Sequence, residues 1–144
     1  MRLDYTKASP AGFKAFADVY GYVLRSGLDK MLVELVFLRV SQINGCASCL
    51  VRHTRDLIKR GVDPEKLTLL QVWDEAGPLF SDREKAALAW AESVTRVADT
   101  HVPDDDFKAA AAMFSEKELA DLTVAISLIN AFNRLNISFR LDPD

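Results

Sequence analysis

The sequence predicts an all-α protein, a single-domain helical bundle over residues 1–144, and three observations carry that expectation. Apolar residues recur at helical spacing through most of the chain, most densely in "MLVELVFLRV". Two S-x-x-E capping boxes, Ser81 with Glu84 and Ser115 with Glu118, mark helix starts, because serine and glutamate side chains there accept from otherwise orphaned backbone N–H groups. Strand-like alternation of useful length is lacking, as are internal repeats, low-complexity tracts and linkers rich in Gly, Pro or Ser.

Taken in order, residues 10–25 read as a first helix. Residues 28–43 follow with apolar positions spaced for burial on most sides, and Asn44-Gly45 closes them with a turn signal. A helix over residues 46–60 ends at Gly61, in the place where a helix C-terminus favours glycine. Asp63-Pro64 is a cap and first helical residue for a short helix to about residue 73. "DEAGPLFSD" reads as a loop, not a domain boundary. The capping boxes then open helices over residues 82–98 and 116–136, with "VPDDDFKAAAAMF" between them as a short helix entered through Pro103.

A chain of 144 residues buries most of its apolar surface without a metal or disulfide staple. Its 18 Lys+Arg against 21 Asp+Glu give a net charge of -3, and the basic residues are scattered, which argues against a nucleic-acid partner. The amino terminus has no apolar region followed by a small-residue cleavage site, and the most apolar run is short and interrupted by Glu34. The expectation is a cytoplasmic protein without a membrane span. In a reducing compartment a close cysteine pair is more often redox-active or metal-binding than a lasting structural disulfide.

The two cysteines, Cys46 and Cys49, stand in "NGCASCLVRH" with His53 four residues beyond the second. If Asn44-Gly45 turns between antiparallel helices, the three share one face at the start of the second helix. The dipole and free N–H groups there favour a thiolate, and C-x-x-C geometry adds to this, so at least one thiol is expected to be unusually acidic. His53 lies one turn beyond Cys49, placed to exchange a proton with that sulfur. Glu34, twelve residues before Cys46 in "LVELVF", reads as buried and in need of a partner. Its offset from His53 along the hairpin is about 3 Å at about 1.5 Å rise per residue, within reach of extended side chains or a bridging water. Glu34 would then orient the imidazole.

The run "ELVFLRVSQINGCASCLVRH" resembles the core motif of the alkylhydroperoxidase D-like branch of the carboxymuconolactone decarboxylase family: a Glu, then R-x-S-x-x-N-x-C-x-x-C-x-x-x-H. Glu34, Arg39, Ser41, Asn44, Cys46, Cys49 and His53 all fall on it. "FSDREKAALAWAESVT" is similar to the family's second signature, so the likeness spans roughly residues 28–95. The resemblance implies an all-helical fold assembled into trimers or hexamers, and an antioxidant thiol peroxidase without a cofactor. In that chemistry Cys49 attacks a small hydroperoxide and becomes a sulfenic acid, Cys46 donates a proton and then resolves it to a disulfide, and Glu34 with His53 forms a proton relay. The reductant would be a dithiol or dihydrolipoyl protein. Some members carry a tyrosine between the cysteines where this chain has Ser48, which bears on efficiency and preferred oxidant. The decarboxylase branch generally lacks the cysteine pair, so lactone decarboxylation is disfavoured.

Other readings compete at each position. The pair read as buried small hydrophobes, or as part of a zinc site with His53 and the remote His101, is disfavoured by the seven-residue match and by the four ligands that structural zinc requires. Glu34 as an ion-pair partner of Arg39 is the alternative to its pairing with His53. Arg39, Ser41 and Asn44 read as scaffold shaping the helix end and the turn, and His101 as a solvated loop residue. Trp73 and Trp90 read as core or subunit interface. The last helix is apolar on nearly every side, with Asn130, Asn133 and Asn136 recurring every three residues, and predicts an oligomer interface. A non-catalytic redox module, its disulfide controlling oligomer or partner contacts, is the alternative to the enzyme.

Overall fold

The computed structural model describes residues 1–143, and every regular element among them is helical. The order is α1 (Tyr5–Ala8), α2 (Pro10–Arg25), α3 (Lys30–Asn44), α4 (Ala47–Lys59), α5 (Pro64–Leu69), α6 (Asp82–Thr95), α7 (Val97–Thr100), α8 (Asp104–Ala111) and α9 (Glu116–Phe139), with short 3-10 turns at Leu70–Val72 and Gly77–Leu79. Among the described residues no helix is long and apolar enough to cross a membrane.

The helix starts follow the local chemistry. Both capping boxes form, at Ser81 with Glu84 and at Ser115 with Glu118. Asp63 accepts from the Glu65 N–H at the head of α5. The stops are less regular. The short helix expected to reach about residue 73 ends at Leu69 and tightens into a 3-10 turn over Leu70–Val72, with Trp73 beyond it. The predicted helix over 82–98 breaks at Arg96, and α9 continues past residue 136 to Phe139. Four-residue α1, capped by Asp4, adds a helix that the sequence pattern does not predict.

Helix α3 lies between two hydrophobic clusters. Val33, Val36, Phe37 and Val40 pack with α6, α9 and the end of α2, while Leu35 and Leu38 face Leu57, Leu67, Leu70 and Phe80. Burial on both sides explains why its sequence is apolar with little relief. The turn after it needs Gly45, whose φ of 71° is a left-handed conformation that only glycine adopts without strain. The Gly45 N–H closes on the Gln42 carbonyl and the Cys46 N–H on that of Ser41.

Helix α9 is the other buried centre. Leu122, Ala125, Ile126 and Ile129 are at most 3 % exposed and belong to the cluster shared with α3 and α6. Much of its apolar width is thus taken up inside the chain, while Val124 remains exposed. At its start Asp121, 4 % exposed, accepts from the Tyr22 hydroxyl on α2 at 2.6 Å and from Lys117 Nζ at 2.6 Å. These two donors, Lys117 first, hold the Asp121 carboxyl below its ordinary 3.8.

A carboxyl whose folded value is depressed stabilises the fold above its unfolded value, and the effect fades as pH falls through the folded one. Asp121→Asn is therefore expected to lower Tm by about 2–4 °C at pH 7. At pH 2 the difference between the two proteins should be smaller. Thermal denaturation of both at the two pH values is the check, and an equal deficit at both would remove the ionic explanation.

Candidate active site

The tight turn delivers α4 antiparallel to α3, and the motif residues land at the interface. Cys46 is the N-cap of α4 and Cys49 lies in its first turn; the two are joined as a disulfide with Cα atoms 5.3 Å apart. Both are buried, Cys46 at 1 % and Cys49 at 4 % exposure. Ser48 Oγ lies 3.6 Å from Cys46 Sγ and 4.0 Å from Cys49 Sγ, so its short hydroxyl serves both sulfurs.

Glu34 and His53 meet directly. His53 Nδ1 is 2.8 Å from Glu34 Oε2, with side chains 7 % and 4 % exposed, and no water is needed to bridge them. His53 also packs on the Phe37 ring, with centroids 5.3 Å apart. The alternative pairing of Glu34 with Arg39 is not formed. Arg39 Nε instead donates to Glu92 Oε1 on α6 at 2.7 Å, an oxygen that also accepts from Trp73 Nε1 at 2.9 Å.

Ser41 and Asn44 act across the bundle more than within the turn. Asn44 Nδ2 donates to Asn130 Oδ1 at 3.0 Å and to Asn133 Oδ1 at 2.9 Å, while Asn133 Nδ2 donates to Ser41 Oγ at 3.1 Å. The asparagines of α9 thus dock on the hairpin of their own chain. The third, Asn136, reaches the cysteine pair, its Nδ2 donating to Cys49 Sγ at 3.3 Å. Its Oδ1 accepts from the Tyr5 hydroxyl at 2.8 Å. Tyr5 carried no signal of its own in the sequence.

A cavity of about 590 Å³ opens on this group. Ser48, Cys49 and His53 line it, and Cys46 does not, so Cys49 is the sulfur within reach of an entering molecule. Phe13, Phe37, Phe132, Tyr5 and Tyr20 supply aromatic walls. Exposed Arg52, Arg55 and Lys59 and half-buried Asp56 stand on the α4 side. Burial pushes the Tyr5 and Tyr20 phenols above their ordinary value, with Glu34 adding to the rise at Tyr20, so both stay protonated.

Glu34, His53 and Asp56 each bring a ligand atom within 4.8 Å of the others. Glu34 and His53 are already hydrogen-bonded to each other through one oxygen and Nδ1. His101 is exposed at the end of α7 and does not line the cavity, so no four-ligand set with the cysteines forms. Trp90 is core, its Nε1 donating to Thr123 Oγ1 at 2.9 Å.

An all-helical bundle with a buried C-x-x-C pair beside a Glu–His couple defines a class, and comparison with known proteins agrees with it. The family model for the carboxymuconolactone decarboxylase family matches residues 10–93, and the chain belongs to that family, in its AhpD-like branch. The uncharacterized protein YdfG of Bacillus subtilis (strain 168) is 34 % identical over 137 residues, spanning 95 % of this chain and 92 % of YdfG. The alkyl hydroperoxide reductase AhpD of Frankia alni is 51 % identical over 39 residues, 27 % of this chain and 21 % of that protein. A crystal structure from Agrobacterium tumefaciens superposes with a TM-score of 0.95 at 40 % identity, over 99 % of this chain and 97 % of that one. That protein is of unknown function and is named as a candidate AhpD-type antioxidant defence protein.

Removing one member of the buried couple isolates the other. Glu34→Ala is expected to cost about 1–3 kcal/mol, since His53 then keeps a buried ring nitrogen without a partner. Glu34→Gln retains an acceptor and should cost less. Urea denaturation of the two variants beside the parent measures both, and equal losses would mean that the hydrogen bond is not what Glu34 contributes.

Proposed function

We propose that this protein is a thiol-dependent peroxidase that reduces organic hydroperoxides through a cycle of the Cys46–Cys49 pair. The observation that carries the reading is the placement of Cys49 at an aromatic-lined cavity, at the head of α4 and beside the buried Glu34–His53 couple. The AhpD-type names borne by the Frankia and Agrobacterium relatives support it.

In the reaction the Cys49 thiolate attacks the terminal oxygen of the hydroperoxide. The O–O bond breaks, an alcohol leaves with a proton passed through His53 and Glu34, and Cys49 becomes a sulfenic acid. Cys46 then attacks the Cys49 sulfur, the hydroxyl leaves as water with a further proton, and the disulfide forms. A dithiol, of small-molecule or dihydrolipoyl-protein type, restores both thiols by exchange and is itself oxidised to a disulfide. Phe13, Phe37 and Phe132 favour substrates with an apolar body over hydrogen peroxide, because such a body leaves water for the cavity wall. The reading includes a homo-oligomer, supported by exposed Val19, Phe107 and Val124, which border one apolar depression between α2, α8 and α9.

Peroxide consumption with cumene hydroperoxide and with hydrogen peroxide, driven by a panel of dithiols, tests the proposal. Cys49→Ser is expected to abolish turnover and Cys46→Ser to stop after one equivalent with a trapped sulfenic acid. His53→Ala should slow the reaction by about 100-fold or more. Turnover unchanged in Cys49→Ser would sink the enzymatic reading.

A further inference from the structure

We infer that Asn136 is a further catalytic group of the dithiol site, holding the Cys49 sulfur as a hydrogen-bond donor, and that Tyr5 is its positioning residue. Asn136 touches the reacting atom itself, with Nδ2 3.3 Å from Cys49 Sγ. Its other end is committed, because Oδ1 accepts from the Tyr5 hydroxyl at 2.8 Å. The inference rests on the proposed reading only in taking Cys49 as the reacting sulfur.

The chemistry of the partners fixes the orientation of this amide. A disulfide sulfur carries no proton, so only the NH2 end of Asn136 can bond to it. The same end suits a thiolate, which is also an acceptor alone, and a bond from N–H to a charged acceptor is stronger than to a neutral one. Asn136 therefore favours the ionised form of Cys49 over the protonated thiol. Tyr5 secures the arrangement by donating to the opposite oxygen, since rotation of the amide would set two acceptors against each other at the sulfur.

Tyr5 itself is held by more than this bond. Its ring packs on Phe13 at 6.1 Å and on Phe139 at 5.9 Å between centroids, and the Arg2 N–H donates to the Phe139 carbonyl at 2.7 Å. Tyr5→Phe thus removes the hydroxyl and leaves the ring seated. The other charged or titratable groups around Cys49 are unchanged by that variant: Arg52, His53, Arg55, Asp56 and Lys59 on α4, Glu34 behind them on α3, Tyr20 on α2 and Asp142 beyond α9.

The test reads thiol acidity and not turnover. The full-length protein is reduced with a dithiol, freed of it anaerobically, and alkylated with iodoacetamide across a pH series, with fragment mass spectra assigning the label to Cys49. Tyr5→Phe is expected to move the Cys49 midpoint upward, slowing alkylation about threefold at a pH below it. Asn136→Asp keeps an acceptor for Tyr5 but turns an anion on the sulfur, and should slow alkylation by at least about tenfold, one pH unit. Coincident profiles for the parent and Tyr5→Phe would overturn the inference, whether or not Asn136→Asp folds. Absence of peroxide turnover in the parent would count against the proposed function alone, since the alkylation profiles are read without any peroxide.

Discussion

A carboxylate inside an otherwise apolar helix is the constraint on which the hairpin depends. Glu34 is 3 % exposed on a helix buried on both sides, and without a partner in such surroundings a carboxylate gives up its charge. His53 is the partner that α4 supplies, and it can do so in one register of α4 against α3. Cys49 sits one turn back on the same face, so the register that satisfies Glu34 also sets the sulfur against the cavity. Stability of the pair and position of the thiol are one geometric condition.

A second condition comes from α9. Its apolar face fills the core, and its asparagines meet the hairpin: Asn130 and Asn133 at Asn44, then Asn136 at Cys49. Buried amides are tolerable only when their bonds are complete, and among the described residues no buried side-chain nitrogen or oxygen lacks a partner. Such a network admits one relative placement of the helices, where an apolar contact would tolerate sliding. The sulfur is in this way held from both sides, by its own helix and by the last one.

What could be read from the sequence was what neighbouring residues decide among themselves. Capping boxes, Asp63-Pro64 and the Gly45 turn are local devices, and the helices they start were placed correctly. The end of α9 was not, because Arg140 takes up the left-handed cap at φ 52° without the glycine that would advertise a stop. The short α1 has no apolar period to reveal it. At the site, Glu34, Cys46, Cys49 and His53 were legible because one hairpin carries them all. Ser41 and Asn44 look local to the turn in the sequence, although their partners lie about 90 positions away on α9. Asn136 and Tyr5 are 131 positions apart and meet only through the fold, so no spacing pattern contains them. The recurrence of asparagine was visible, but a period along one helix does not say which surface it faces.

The cavity beside Cys49 takes its walls from both extremities of the described chain. Tyr5 and Phe13 come from one, Asn136 and Leu141 from the other, and the Arg2 N–H bonded to the Phe139 carbonyl fastens them together. The sulfurs, the Glu34–His53 pair and the Phe37 wall come from the middle. The cavity is thus closed by residues drawn from widely separated stretches of the sequence. Substitutions near the two ends therefore act on the cavity in two ways: at Phe13 or Leu141 they alter its walls, and at Tyr5 or Asn136 they alter the hydrogen bond at the Cys49 sulfur.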